Sequence, residues 1–293
     1  FQAAMALSGD QAWFSDDYDD AGSPVAVTQD TVTVAAGGVP FDGTIVFDAA
    51  SVNYTLDAAD SNGLGGSATI VKTGGASLTL AGPNTWAGDF HHVGGTLLIN
   101  HEAALGTGNL HLEGGALGTT SATPLAIAGD NPLSLRGSCA FTGGELDLGN
   151  GPVTLGGDVT LETQAGTLTL GGPMTATGSI LTKQGSGTLV LGGDNSLDHL
   201  DVQDGTVTLD GGSYASNDQR GGWGLWVRYS TAATLNLTNG ATVSIVKGFQ
   251  IQQGTVNMDN GAIVVQDNPT SEFYLGNSTT DATLNMSGGS LQA

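Results

Sequence analysis

The densest charge in the chain is Asp16-Asp17-Tyr18-Asp19-Asp20, with Asp10 nearby. Hard carboxylate oxygens are the ligands that Ca²⁺ takes. Asp16, Asp17, Asp19 and Asp20 are therefore the candidate cation ligands. The run lacks EF-hand spacing and its glycine, and the Gly-Gly-x-Gly-x-Asp calcium-roll repeat is missing too. A solvated acidic loop is the competing reading. Five histidines, His91, His92, His101, His111 and His199, offer nitrogen ligands to a softer metal. His91 and His111 stand 20 apart, one coil of a 20-residue repeat, and would meet on a shared face. No Cys or Glu joins them at a recognised spacing, so all five are read as surface histidines.

A third cluster is Gly221-Gly222-Trp223-Gly224-Leu225-Trp226-Val227-Arg228-Tyr229. An indole beside a guanidinium suits a sugar platform or a protein contact. Trp223, Trp226, Arg228 and Tyr229 are the candidate contact residues. Period-two alternation puts Trp223, Leu225, Val227 and Tyr229 on one face, with Trp226 and Arg228 on the other. The plainer reading is a repeat strand, since Leu225-Trp226-Val227 aligns with Phe273-Tyr274-Leu275. Cys139 is the only cysteine, which excludes an intrachain disulfide, and it reads as a small packed residue. No Gly-x-Ser-x-Gly elbow, His-Glu-x-x-His pair or phosphate loop is present.

The elements that must carry these residues are short and repeated. Threonine-led units begin at 167, 188, 206, 234, 255 and 283, as in Thr167-Leu168-Thr169-Leu170-Gly171-Gly172 and Thr188-Leu189-Val190-Leu191-Gly192-Gly193. Each is about four residues of strand alternation closed by a turn of Gly, Asn or Asp. A longer match pairs Lys72-Thr73-Gly74-Gly75-Ala76-Ser77-Leu78-Thr79-Leu80 with Lys183-Gln184-Gly185-Ser186-Gly187-Thr188-Leu189-Val190-Leu191. Asn84 then matches Asn195, and Gly95-Thr96-Leu97 matches Gly205-Thr206-Val207. One such strand cannot bury its own face, but stacked units share one apolar column. The expected fold is all-β: a right-handed parallel β-helix, or β-solenoid, of about 13 coils and about 60 Å. Thr and Asn would form ladders along its outside. Residues 1–30, which do not repeat, are expected to be an N-terminal cap or docking segment, and residues 31–293 the β-solenoid domain. An antiparallel β-sandwich is the structural alternative.

Composition narrows the function. Six Lys+Arg against 28 Asp+Glu give a net charge of −22 in 293 residues. That charge argues against nucleic acid and anionic membrane as partners. Glycine, at 48 residues, is about twice its usual share, while the charged fraction of 12% excludes a coiled coil. No run of 18 apolar residues occurs, so this segment is not expected to insert into a membrane. The chain opens at Phe1, as removal of a leader would leave it.

Lys72 to Asn100 resembles the autotransporter-associated β-strand repeat. The resemblance rests on Lys-x-Gly-Gly, Ser77-Leu78-Thr79-Leu80, Gly82-Pro83-Asn84-Thr85-Trp86-Ala87-Gly88 and Val93-Gly94-Gly95-Thr96-Leu97. Ala104-Leu105-Gly106-Thr107-Gly108 and Gly114-Gly115-Ala116-Leu117 continue it. Phe273-Tyr274-Leu275-Gly276-Asn277 with Thr283-Leu284-Asn285-Met286-Ser287-Gly288-Gly289 looks like a related repeat of large bacterial surface proteins. The second copy departs at Leu197 and Asp198, where the family has an aromatic residue and glycine. Within these 293 residues no pattern of about 10-residue membrane-barrel strands occurs. The resemblance implies a secreted, surface-exposed bacterial passenger, non-enzymatic and built as a parallel β-helix.

The expected function is a non-catalytic extracellular structural or adhesive rod on the bacterial cell surface, self-associating head-to-tail into a fibre. Its other expected partners are host or surface glycans and proteins. No cofactor is expected beyond Ca²⁺ at the acidic run. The alternative is a polysaccharide-active β-helix enzyme, a lyase or hydrolase. An acidic glycan would need cationic subsites, and the six cations are scattered.

Overall fold

The threonine-led units fall in one register. Thr167, Thr188, Thr206, Thr234, Thr255 and Thr283 pair rung to rung in parallel, and so do Leu168, Leu189, Val207, Leu235, Val256 and Leu284. Alternation explains the arrangement: β-branched threonine faces outward, while leucine or valine enters a shared interior. These units are six strands of an eight-stranded sheet that begins with Leu125–Ala126 and Glu145–Asp147. A 13-stranded and a 12-stranded parallel sheet form the other two faces. From Val153–Leu155 onward the chain visits the three in rotation, with Val159–Thr163 on the second face, Thr167–Leu170 on the third and Met174–Thr175 back on the first.

This computed structural model describes residues 11–20, 23–27, 30–217, 223–260, 262–265, 272–276 and 280–292, leaving aside the side chains of 18–20, 23–25, 262, 264 and 265. Among the described residues all regular structure is β, and the fold is a parallel β-solenoid of about 10 turns. The expected 13 coils are therefore slightly too many. The coils are of unequal length, since cross-rung hydrogen bonds span 19 residues at Thr119–Asn100 and 30 at Val246–Ser216, so a uniform 20-residue coil overcounts them. At about 4.8 Å per rung the stack is about 50 Å long.

Within the segment read as a cap, Gln11–Phe14 is the terminal strand of the 13-stranded sheet, paired with Thr44–Phe47. Phe14 stacks on Phe47 at 4.7 Å. Asp17–Asp20 and Ser23–Ala26 form an antiparallel hairpin beside it.

One interior column runs the length of the stack. Leu78, Leu97, Leu181, Leu189, Leu235 and Ile251 are fully buried, and Trp86 is the largest fully buried side chain. Each such residue contributes about 1.5–3 kcal/mol by leaving water. The outer Asn ladder is also formed: Asn285 Nδ2 donates to Asn257 Oδ1 at 2.9 Å, and Asn257 Nδ2 to Asn236 Oδ1 at 2.9 Å.

The corners explain the longer repeat. Lys72 and Lys183 point inward and are buried. Lys183 Nζ donates to the carbonyls of Gln184, Gly185 and Asp204 at 2.9, 2.6 and 3.0 Å. Lys72 Nζ donates in the same way to Gly74 and Gly94. Burial lowers both ammonium groups to about 8. One rung on, Gly95 and Gly205 cover these ammoniums at φ +69° and +62°, and a Cβ there would lie 2.5 Å from Lys72 Nζ and 2.9 Å from Lys183 Nζ. Lysine and glycine thus form one corner device. The two copies occupy different corners. Lys72 leads from the 13-stranded to the 12-stranded sheet, and Lys183 from the 12-stranded to the eight-stranded sheet.

Candidate ligand-contact surface

Leu225–Val227 lies on the 12-stranded face, between His199–Val202 and Gly248–Ile251. Leu225 and Val227 are fully buried, which turns Trp226 outward between Asp201 and Gln250. The Arg228 guanidinium lies 3.6 Å from the Trp226 ring centroid and 4.4 Å from that of Tyr229. It also forms a two-point pair with buried Asp201, Nε to Oδ1 at 2.9 Å and Nη2 to Oδ2 at 2.6 Å. Gln203 Nε2 donates to the same carboxylate at 2.7 Å. His199 meets the edge of Trp226 at 4.9 Å. Burial lowers the pKa of that imidazole, against the pull of Asp201 and Asp198.

The alternation expected across Trp223–Tyr229 fails at both ends. Only 225–227 is extended strand, and Tyr229 turns to φ +73° and stays 62% exposed. Trp223 precedes the strand and lies against Gly248, whose missing side chain makes room for the indole. Tyr274 meets Trp223 edge-on at 5.0 Å. Tyr274 also stands in the Trp226–Gln250 column, one rung beyond Gln250. The four expected contact residues therefore belong to one outer patch, joined by His199, Asp201 and Tyr274. The alignment of Trp226 with Tyr274 was the one sequence signal for this extension. Arg228 is held and largely neutralised by Asp201 and covers one face of Trp226, so the patch offers little free charge, and its exposed aromatic surface is that of Tyr229 and Tyr274.

Asp16 has a structural task. Its carboxylate accepts the backbone N–H groups of Ala50, Ser51 and Val52 at 3.0, 2.9 and 2.8 Å, and the Ser51 hydroxyl at 2.9 Å. Those bonds lower its pKa to about 2. Asp17 is exposed, while Asp10 and the side chains of Asp19 and Asp20 lie outside the described residues. Cys139 is buried in the core, which raises its thiol to about 11, so it is a packed residue with no nucleophilic character at neutral pH.

The histidines correct the reading of all five as surface residues. His92 points inward above Lys72, fully buried, with Nε2 3.0 Å from the Ala116 carbonyl. His111 faces outward but is 5% exposed, because His91 stacks on it at a centroid distance of 4.5 Å. Two carboxylates also reach this pair. His91 Nδ1 lies 2.8 Å from Glu113 Oε1, and His111 Nε2 lies 3.4 Å from Asp89 Oδ2. Sequence spacing did not reveal Asp89 and Glu113, because each acts across rungs.

The chain matches no protein-family model, no curated protein and no solved structure. Among the described residues no helix is long and apolar enough to cross a membrane.

Proposed function

We propose that the chain is a non-catalytic extracellular β-solenoid of the kind carried by bacterial surface proteins, serving as a stiff spacer with adhesive contacts. The resemblance of Lys72 through Asn100 to the autotransporter-associated β-strand repeat supports the surface assignment. The observation that carries the adhesive role is the outward patch of Trp223, Trp226, Arg228, Tyr229 and Tyr274, on a face otherwise built from repeat strands. Aromatic rings of this kind stack on the apolar faces of sugars and anchor protein contacts. The charge of −22 favours neutral or cationic partners over polyanions, and keeps rods apart until salt screens them. Head-to-tail self-association belongs to the same proposal, since a heterologous contact between rods need not close. No cofactor is needed for this work. Ca²⁺ at the acidic run would fall to Asp17, Asp19 and Asp20, because Asp16 is committed to the backbone of residues 50–52.

Glycan-array binding of the wild type and a Trp226→Ala/Tyr229→Ala double variant tests the reading. Binding to a defined glycan class should fall at least tenfold in the variant while its β circular dichroism is kept. Depolymerisation of any bound polysaccharide would replace the adhesive reading with the lyase or hydrolase alternative.

A further inference from the structure

On the 13-stranded face, two rungs bring Asp89, His91 and His111 together. One ligand atom from each lies within 4.8 Å of the other two. The strands fix this arrangement. Phe90–His92 pairs in parallel with Leu110–Leu112, so that His91 sits directly opposite His111.

The surrounding groups orient two of the three side chains. Asn109 Nδ2 donates to Asp89 Oδ1 at 2.8 Å, which leaves Oδ2 toward His111. Glu113 Oε1 accepts from His91 Nδ1 at 2.8 Å, and Arg136 Nη1 stands 3.5 Å from the same oxygen. With its proton on Nδ1, His91 keeps the Nε2 lone pair for another partner. A carboxylate behind a histidine is the usual support of a metal-bound imidazole. His111 supplies the independent observation. Its side chain is 6% exposed, yet neither ring nitrogen makes a hydrogen bond. Its 3.4 Å approach to Asp89 is beyond ordinary hydrogen-bond length. A buried imidazole normally finds a partner for each nitrogen.

The separation of His111 Nε2 and Asp89 Oδ2 fits an ion between them. A tetrahedral zinc ion with bonds of about 2.0–2.1 Å sets its ligands about 3.3–3.4 Å apart. His91, at 26% side-chain exposure, is the ligand with room to close in. Asp89, at 42%, leaves the outer side open to water.

We propose that Asp89, His91 and His111 form a binding site for a divalent first-row transition metal, with Zn²⁺ as its probe and water completing the coordination. Two imidazoles and one carboxylate select a borderline ion over Ca²⁺, which takes oxygen ligands. The site is on a different face from the aromatic patch and does not depend on the adhesive reading.

Calorimetric titration of the metal-stripped chain with Zn²⁺ tests the assignment. One equivalent should bind, with a dissociation constant in the micromolar range or tighter. His91→Ala and Asp89→Asn, both at partly exposed positions, should each weaken binding at least tenfold. Zn²⁺ should also raise the melting temperature of the wild type and not that of His91→Ala, because an ion bound only to the folded state stabilises it. Millimolar Ca²⁺ should not displace the bound ion. Absence of stoichiometric binding to the folded wild type overturns the proposal. Undiminished affinity in both variants, or displacement of Zn²⁺ by Ca²⁺, overturns it as well.

Discussion

Gly205 and Lys183 are one unit despite their distance in sequence. The lysine fills a corner by donating to three carbonyls, and the glycine closes over it in a left-handed conformation. Gly205→Ala should lose about 2–4 kcal/mol in urea unfolding, from backbone strain plus crowding against Gly185, Gly187 and Lys183 Nζ. Lys183 also carries a pH signature. Its folded pKa of about 8 lies below the ordinary 10.5. Between those values the unfolded chain holds the extra proton, so this group makes stability rise with pH across that window and adds no slope below it. Urea midpoints of wild type and Lys183→Met should diverge in favour of wild type as pH climbs from 8 to 10.5. Parallel curves would mean that the ammonium is not desolvated at the corner.

Strands show which features were legible in sequence. The Thr-Leu-Thr-Leu alternation specified both a strand and its inward face, and the recurrence of the unit specified parallel stacking. Leu189→Ala, in the fully buried column, should therefore cost about 2–5 kcal/mol, measured by the same unfolding assay. An outward neighbour on the same strand, Val190→Ala, should cost much less. The candidate clusters were less legible, for a geometric reason. Trp226 was visible as an aromatic beside Arg228, and Tyr274 through its alignment with Trp226. Asp201, Asp89 and Glu113 were not, because coils of unequal length hide which acids stand beside which rings. Alternation also failed at Trp223 and Tyr229, where the strand is only three residues long and the chain turns at both ends.

The whole rod inherits its behaviour from nearest-neighbour contacts. Its middle rungs are the most enclosed, while Leu275 and Met286 in the last described rungs are 52% and 46% exposed. Amide exchange should follow that gradient, with Thr188–Leu191 the slowest and Ala282–Met286 exchanging well before it. Uniform protection from end to end would contradict a stack of semi-independent rungs. Coil number was the whole-molecule property least readable from sequence, since insertions lengthen some coils and leave the strand pattern intact.

The lysine corner has one more implication for the shape of such molecules. Because the device occurs at two edges of the prism, the segment it initiates is not tied to any particular side. Loss or gain of a stretch between two such corners would swing everything beyond it around the long axis by a third of a revolution. The aromatic patch could thus be aimed in a new direction with every one of its own contacts left untouched.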